Sequence, residues 1–262
     1  MPIISNFPLY ASAGLLVGIL VGLTGVGGGS LMTPVLVLLF GFHPSTAVGT
    51  DLLFASVTKT VGTAVHEKRG TVDWAIVGGL ASGSIPAALA SLLVMNRLGP
   101  MSPGASAAIS FLLAIALLLT GISVLFRPAI LRWAARRFPM RQEVRPKALT
   151  IALGVALGVL VSITSVGAGA LGTTALLILY PRLPIARIAA SDIAHAVPLT
   201  LIAGVGHWLM GSVDLRLMLA LLTGSIPGIV VGSLLSSLSS DRVLRPVLAL
   251  TLVAVSVRML AA

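Results

Sequence analysis

Gly25-Val26-Gly27-Gly28-Gly29-Ser30-Leu31-Met32-Thr33-Pro34 closes one apolar run and opens the next. A glycine inside a helix costs about 1 kcal/mol relative to alanine, so four glycines within five residues predict a helix break. A degenerate copy, Ser165-Val166-Gly167-Ala168-Gly169-Ala170-Leu171-Gly172-Thr173-Thr174, returns 140 residues later. Inside a bilayer, broken backbone is tolerated only where protein buries it or where it lines a watery cavity. Breaks at corresponding places in two halves of a chain therefore point to a transport site.

The surrounding composition sets the solvent. The chain is 57% apolar and 9% charged, with a mean hydropathy of +1.09. Soluble domains carry roughly 25% charged residues, and 262 residues cannot hide this much apolar surface in one core. Several windows approach twenty residues with one charge or none, long enough to cross a hydrocarbon layer of about 30 Å. They lack the alternation of barrel strands. The reading is an all-α, multi-pass integral membrane protein. The net charge of +10 does not indicate nucleic acid, because the basic residues sit between the apolar runs, where they set membrane orientation. Cysteine is absent, which excludes disulfides and thiolate metal sites. No basic residue precedes the first apolar run, so that run is expected to remain in the mature protein.

Working outward from the two breaks gives five helical segments per half. The first five are expected over 8–24, 29–41, 45–66, 72–95 and 104–126. A basic linker follows over 127–147, and the second five are expected over 148–166, 169–180, 185–207, 214–237 and 241–260. Residues 1–126 and 148–262 thus read as two repeats. Gly14 and Gly18 recur as Gly154 and Gly158, and Thr50-Asp51 recurs as Ser191-Asp192. His66 recurs as His207, Gly70-Thr71-Val72-Asp73 as Gly211-Ser212-Val213-Asp214, and Gly83-Ser84-Ile85-Pro86 unchanged as Gly224-Ser225-Ile226-Pro227. The second segment is short, so the first two either form a re-entrant hairpin or both cross. Each half then crosses three or five times, an odd number, and the repeats are inverted either way. The linker carries Arg127, Arg132, Arg136, Arg137, Arg141, Arg145 and Lys147, which places it in the cytoplasm and both termini outside. The stripes Gly14-xxx-Gly18 and Gly224-xxx-Gly228 predict close helix contacts.

The candidate substrate-binding residues begin with the breaks. Gly27, Gly28, Gly29, Ser30 and Thr33, with Gly169, Thr173 and Thr174, would offer helix N-terminal N–H groups and hydroxyls to an anion. No Gly-Lys-Ser/Thr follows, so a nucleotide loop is not indicated. Lys59 lies deep in the third segment, and a charge at that depth is functional by default. It can neutralise an anionic substrate, pair with Asp192, or snorkel to the inner surface. Asp51 and Asp192 read either as caps near helix starts or as proton or cation coupling sites. His195, one turn after Asp192 and replaced by Phe54 in the other half, is a candidate proton carrier or anion donor, or a polar contact between helices. His66, His207, Asp73 and Asp214 fit helix-end caps, and the sequence gathers too few ligands for a metal site. No cofactor motif is present. No nucleophile and base, and no zinc motif, support an intramembrane enzyme.

The segment Gly25–Pro34, the run from His43-Pro44 to Gly49-Thr50-Asp51, and the His66…Gly70-Thr71-Val72-Asp73 turn resemble the sulfite exporter TauE/SafE family over nearly the whole chain. The second half departs from that motif, with Ala168 and Thr174 replacing glycine and proline. The resemblance implies a permease of the bacterial inner membrane for small sulfur-containing anions such as sulfite or organosulfonates. A passive anion channel and a cation-coupled carrier using Asp51 and Asp192 remain as alternatives from the residues themselves.

Overall fold

Ten α-helices follow one another in the computed structural model, which describes residues 6–24, 29–68, 70–99, 102–137, 147–235 and 241–261. They are α1 (Phe7–Thr24), α2 (Gly29–Leu38), α3 (Pro44–Lys68), α4 (Trp74–Leu98), α5 (Pro103–Arg137), α6 (Lys147–Thr164), α7 (Ala170–Leu179), α8 (Ile185–Leu209), α9 (Leu215–Leu235) and α10 (Asp241–Ala261). No strand occurs among the described residues. The segmentation matches the sequence expectation except at α5, which was expected to stop at 126 and runs on to Arg137. Pro128 does not end it, and 35 residues give a length of about 52 Å, well beyond the hydrocarbon layer.

Five helices are long and apolar enough to cross a membrane, within α4, α5, α6, α8 and α9. α3 is as long as α4 but falls short in hydropathy, because it carries the polar groups of the interior. Its residues 50–56 are all buried, so protein rather than lipid solvates them. Helices α2 and α7 have ten residues each. At 1.5 Å per residue they are about 15 Å long, half of a crossing. Large apolar side chains such as Leu16, Leu93, Phe111, Leu219 and Leu250 face outward, as lipid contact requires. Trp74, Trp133 and Trp208 are more than half exposed and sit at helix ends, where amphipathic rings favour the membrane interface.

The halves pack by exchange. α1 lies on α9 and α4 lies on α6, while α3 packs on α8 and α5 on α10. Glycines make the first two contacts. A Cβ on Gly14 or Gly18 would strike the backbone of Leu221 or Ser225, and one on Gly154 or Gly158 would strike that of Leu80 or Ser84. The register advances together, so α1 runs parallel to α9 and α4 parallel to α6. Such close approach lets backbones pack without side chains between them, the main source of cohesion where no hydrophobic effect acts between helices. The α3 and α8 pair runs antiparallel instead. Gly49 abuts His207, Gly204 abuts Leu53, and Gly62 abuts Ile193. Two apolar clusters flank this pair, one of Tyr10, Met32, Leu36, Phe54 and Leu221, the other of Ile76, Leu80, Leu157, Leu176 and Ile188.

Candidate functional site

The polar interior is built on α3 and α8. Asp51 and Asp192 are each the eighth residue of their helix, so neither caps it, contrary to one sequence expectation. Each carboxylate reaches the adjacent short helix instead. Thr33 on α2 donates through Oγ1 to Asp51 Oδ2 at 2.5 Å, and Thr173 on α7 donates to Asp192 Oδ2 at 2.9 Å. Both aspartates are fully buried. A buried carboxylate is costly unless hydrogen-bonded, and these two bonds hold α2 and α7 to the central pair.

The residue before each aspartate has a second task. Thr50 Oγ1 accepts from the backbone N–H of Asp214 at 3.0 Å, and Ser191 Oγ accepts from that of Asp73 at 2.8 Å. Each bond crosses from one half to the other. Asp73 and Asp214 in turn cap α4 and α9, accepting from Ala75 and Ile76 and from Arg216 and Leu217. This satisfies orphan N–H groups at both helix starts, as the sequence suggested. Arg187 lies 3.7 Å from Asp73. His66 Nδ1 lies 3.3 Å from Thr71 Oγ1, and buried His207 donates through Nε2 to the Ser162 carbonyl at 2.9 Å.

The second break reaches into the first half. Ser165 has φ +61, a left-handed conformation uncommon for a residue with a side chain. Its Oγ donates to Asp51 Oδ2 at 2.9 Å. Gly167 and Gly169 also take positive φ, and Gly169 precedes the first turn of α7. A Cβ on Gly172 would collide with Asp192 Oδ1, so a carboxylate already lies against the N-terminal turn of α7. The start of α7 therefore faces a negative charge, not an open anion cradle.

Lys59 is 6% exposed and lies on α3 about 12 Å beyond Asp51 along the axis. The antiparallel register with α8 places it between Asp51 and Asp192. It interacts electrostatically with both carboxylates and with His195. It is within ion-pair distance of neither carboxylate, so the direct Lys59–Asp192 pair that equal depth suggested does not form. His195, also fully buried, has its Nε2 2.8 Å from Ser84 Oγ on α4. At the equivalent place Phe54 offers no polar atom, and Ser225, the repeat counterpart of Ser84, has no hydrogen-bond partner among the described residues.

The remaining sequence candidates divide as follows. Gly27 and Gly28 lie outside the described residues. Gly29 and Ser30 are the first two residues of α2. Thr173 bonds Asp192, whereas Thr174 is buried beside it where the first half has Pro34. Ser165 and Ser84 were absent from the candidate set although both belong to the repeated motifs. The signal for Ser84 was a serine that recurs as Ser225, and for Ser165 a hydroxyl standing where the first half has Gly25.

Comparison with known proteins agrees with this construction. The family described as Sulfite exporter TauE/SafE matches residues 10–259. The probable membrane transporter protein YjnA of Bacillus subtilis (strain 168) is 40% identical over 240 residues, covering 90% of this chain and 92% of that protein. The probable membrane transporter protein YdhB of the same organism is 29% identical over 241 residues, 90% and 93% of the two chains. No solved structure matches. With its apolar helices, its two half-length helices and a family match across almost its full length, the chain belongs to the sulfite exporter TauE/SafE family and is a multi-pass membrane transporter.

Proposed function

We propose that this transporter moves sulfite, or a closely related sulfur oxyanion, across a bacterial inner membrane by alternating access between two inverted halves. The observation that carries the reading is Lys59, a buried ammonium at the crossing of α3 and α8 with no direct ion pair to Asp51 or Asp192. Intramembrane charges without a structural partner mark substrate pathways. An anion in contact with Lys59 would lie at the α3–α8 crossing, between Asp51 and Asp192, whose carboxylates already take the hydroxyls of Thr33 and Thr173. The parallel α1–α9 and α4–α6 contacts and the antiparallel α3–α8 contact support inversion of 1–126 against 148–262. Those directions arise when equivalent helices point opposite ways. The basic residues of 127–147 support a cytoplasmic linker and outward termini.

The test is sulfite flux in proteoliposomes, with sulfate and taurine as competitors. Saturable flux that Lys59→Ala removes is the expected result. Flux and affinity unchanged in Lys59→Ala would take that residue out of the site, and flux that never saturates would favour a passive channel. Inert behaviour toward sulfite with active transport of an organosulfonate would change the substrate and keep the site.

A further inference from the structure

Among the described residues, the interior at the α3–α8 crossing holds two fully buried carboxylates and one buried ammonium. Asp51 Oδ2 and Asp192 Oδ2 take the hydroxyl bonds from Thr33, Ser165 and Thr173. Among the described residues, Asp51 Oδ1 and Asp192 Oδ1 have no hydrogen-bond partner although both are buried. Two carboxylates and one ammonium sum to one net negative charge, before any substrate arrives. An anion placed beside Lys59 would raise that to two in a region of low dielectric, where unpaired charge is most costly. A proton on either vacant carboxylate oxygen restores the starting charge.

Resting on the anion-permease reading, we infer that Asp51 and Asp192 carry a proton that crosses together with the anion. Their placement suits the task. They lie on either side of Lys59 along the antiparallel pair, one in each half, so each is exposed to a different side as the halves rock. His195 is less suited, since Phe54 takes its place in the other half and its Nε2 is held by Ser84. Other titratable groups on the packed elements lie toward helix ends or are engaged: His207 on the Ser162 carbonyl, Arg187 beside Asp73 at the start of α4, His66, Glu67 and Lys68 at the end of α3, Asp214 and Arg216 at the start of α9, Arg97 at the end of α4, Arg127 on α5 with a partner of its own, and Lys147 at the start of α6. Helices α2 and α7 contribute none. A multivalent metal in place of the proton is disfavoured by ligand supply, since no three acidic or imidazole groups gather among the described residues. Moving one proton with a monoanion is electroneutral. Net direction then follows the product of the two gradients, and export runs when the anion inside outweighs an acid exterior.

Methanesulfonate is a suitable probe, because it stays singly charged over the working range and any pH effect belongs to the protein. In proteoliposomes with the potential clamped, an acid-outside gradient should drive uphill methanesulfonate accumulation, and a sodium gradient should not. Asp51→Asn combined with Asp192→Asn should lose the accumulation while labelled-for-unlabelled anion exchange persists. Accumulation indifferent to the pH gradient, driven by sodium, or retained in the double variant would overturn the inference. A second measurement does not depend on transport. Infrared titration of the purified protein should show a protonated-carboxyl C=O band that the double variant lacks. Absence of that band in the unmodified protein would also overturn the inference. If neither sulfite nor methanesulfonate moves while the band is present, the anion reading fails and proton binding stands.

Discussion

Asp51 and Asp192 occupy equivalent places in the two halves and are not equally held. Asp51 accepts two hydroxyls, one from its own short helix and one from Ser165 in the other half. Among the described residues Asp192 accepts one hydroxyl, that of Thr173, and has its other oxygen against Gly172. Lys59 belongs to α3 alone, its counterpart being Thr200, and His195 belongs to α8 alone. The frame of capping aspartates, crossing hydroxyl bonds and glycine contacts is shared by both halves. The charged interior is not. A duplication of the chain would account for the frame, since the caps, the Thr50 and Ser191 bonds and the glycine contacts each have a counterpart in the other half, and the groups without a counterpart are where a specific ligand would make its contacts.

The hardest blow to this asymmetry is at Lys59. Lys59→Ala should lower saturable sulfite flux by about two orders of magnitude, the loss that roughly 2.8 kcal/mol of binding produces. Moving the charge to the equivalent place, with Lys59→Thr and Thr200→Lys together, sharpens the question. Thr200 is buried and bonds within α8, to the Ala196 carbonyl at 2.7 Å. Recovery of flux in the swapped protein would show that the crossing requires one ammonium on either helix. No recovery would tie the charge to α3 and its neighbours.

The shared frame should break equally on both sides. Gly158→Val forces a side chain into the backbone of Ser84, and Gly18→Val does the same at Ser225. Overpacking of this kind costs about 1–3 kcal/mol, occasionally more. Both variants should lower the thermal midpoint in detergent by similar amounts. Gly78→Val, where a Cβ meets nothing within 4 Å, should leave it nearly unchanged. Unequal losses at Gly18 and Gly158 would show that one half carries more of the stability than the repeat suggests.

These two levels also differed in how far the chain disclosed them. The helices were legible because apolar runs, glycine breaks and the 140-residue recurrence are local features, and the period repeats. Only α5 escaped, since the run of basic residues from Arg127 read as a linker where the helix continues to Arg137. The aspartates were recognisable as a pair, yet their partners were not. Thr33 and Asp51 are 18 residues apart on different helices, and Ser165 and Asp51 are 114 apart. The second of these depends on a left-handed backbone at Ser165, which no spacing rule announces. The glycine breaks read as an anion cradle because nothing in the sequence revealed that a carboxylate lies against the start of α7.

Ser165 is also the next place to test. Ser165→Ala leaves Thr33 as the one hydroxyl donor to Asp51 among the described residues and makes the two carboxylates equivalent in hydroxyl donors. Hydrogen bonds between membrane helices contribute about 0.6 kcal/mol on average and up to about 1.7, so a loss of about 1 kcal/mol in unfolding free energy is expected. The same change should bring any functional difference between Asp51→Asn and Asp192→Asn closer together. A larger stability loss than this would mean that the strained turn at 165, more than its hydroxyl, is what the bond supports.

The smallest effect is expected from making α8 resemble α3. His195→Phe installs the residue that occupies the equivalent position, and it removes the partner of Ser84. Ser84 would then stand as Ser225 does, buried without a hydrogen-bond partner among the described residues. Because Ser225 is tolerated in that condition, His195→Phe should cost little more than the bond itself. A double-mutant cycle with Ser84→Ala isolates it, with a coupling energy of about 0.6–1.7 kcal/mol expected from unfolding in detergent. Coupling near zero would mean that the 2.8 Å contact is geometric only. His195 would then stand in the interior for a reason other than holding α4 to α8, and the single variant's transport would decide whether that reason lies with the anion.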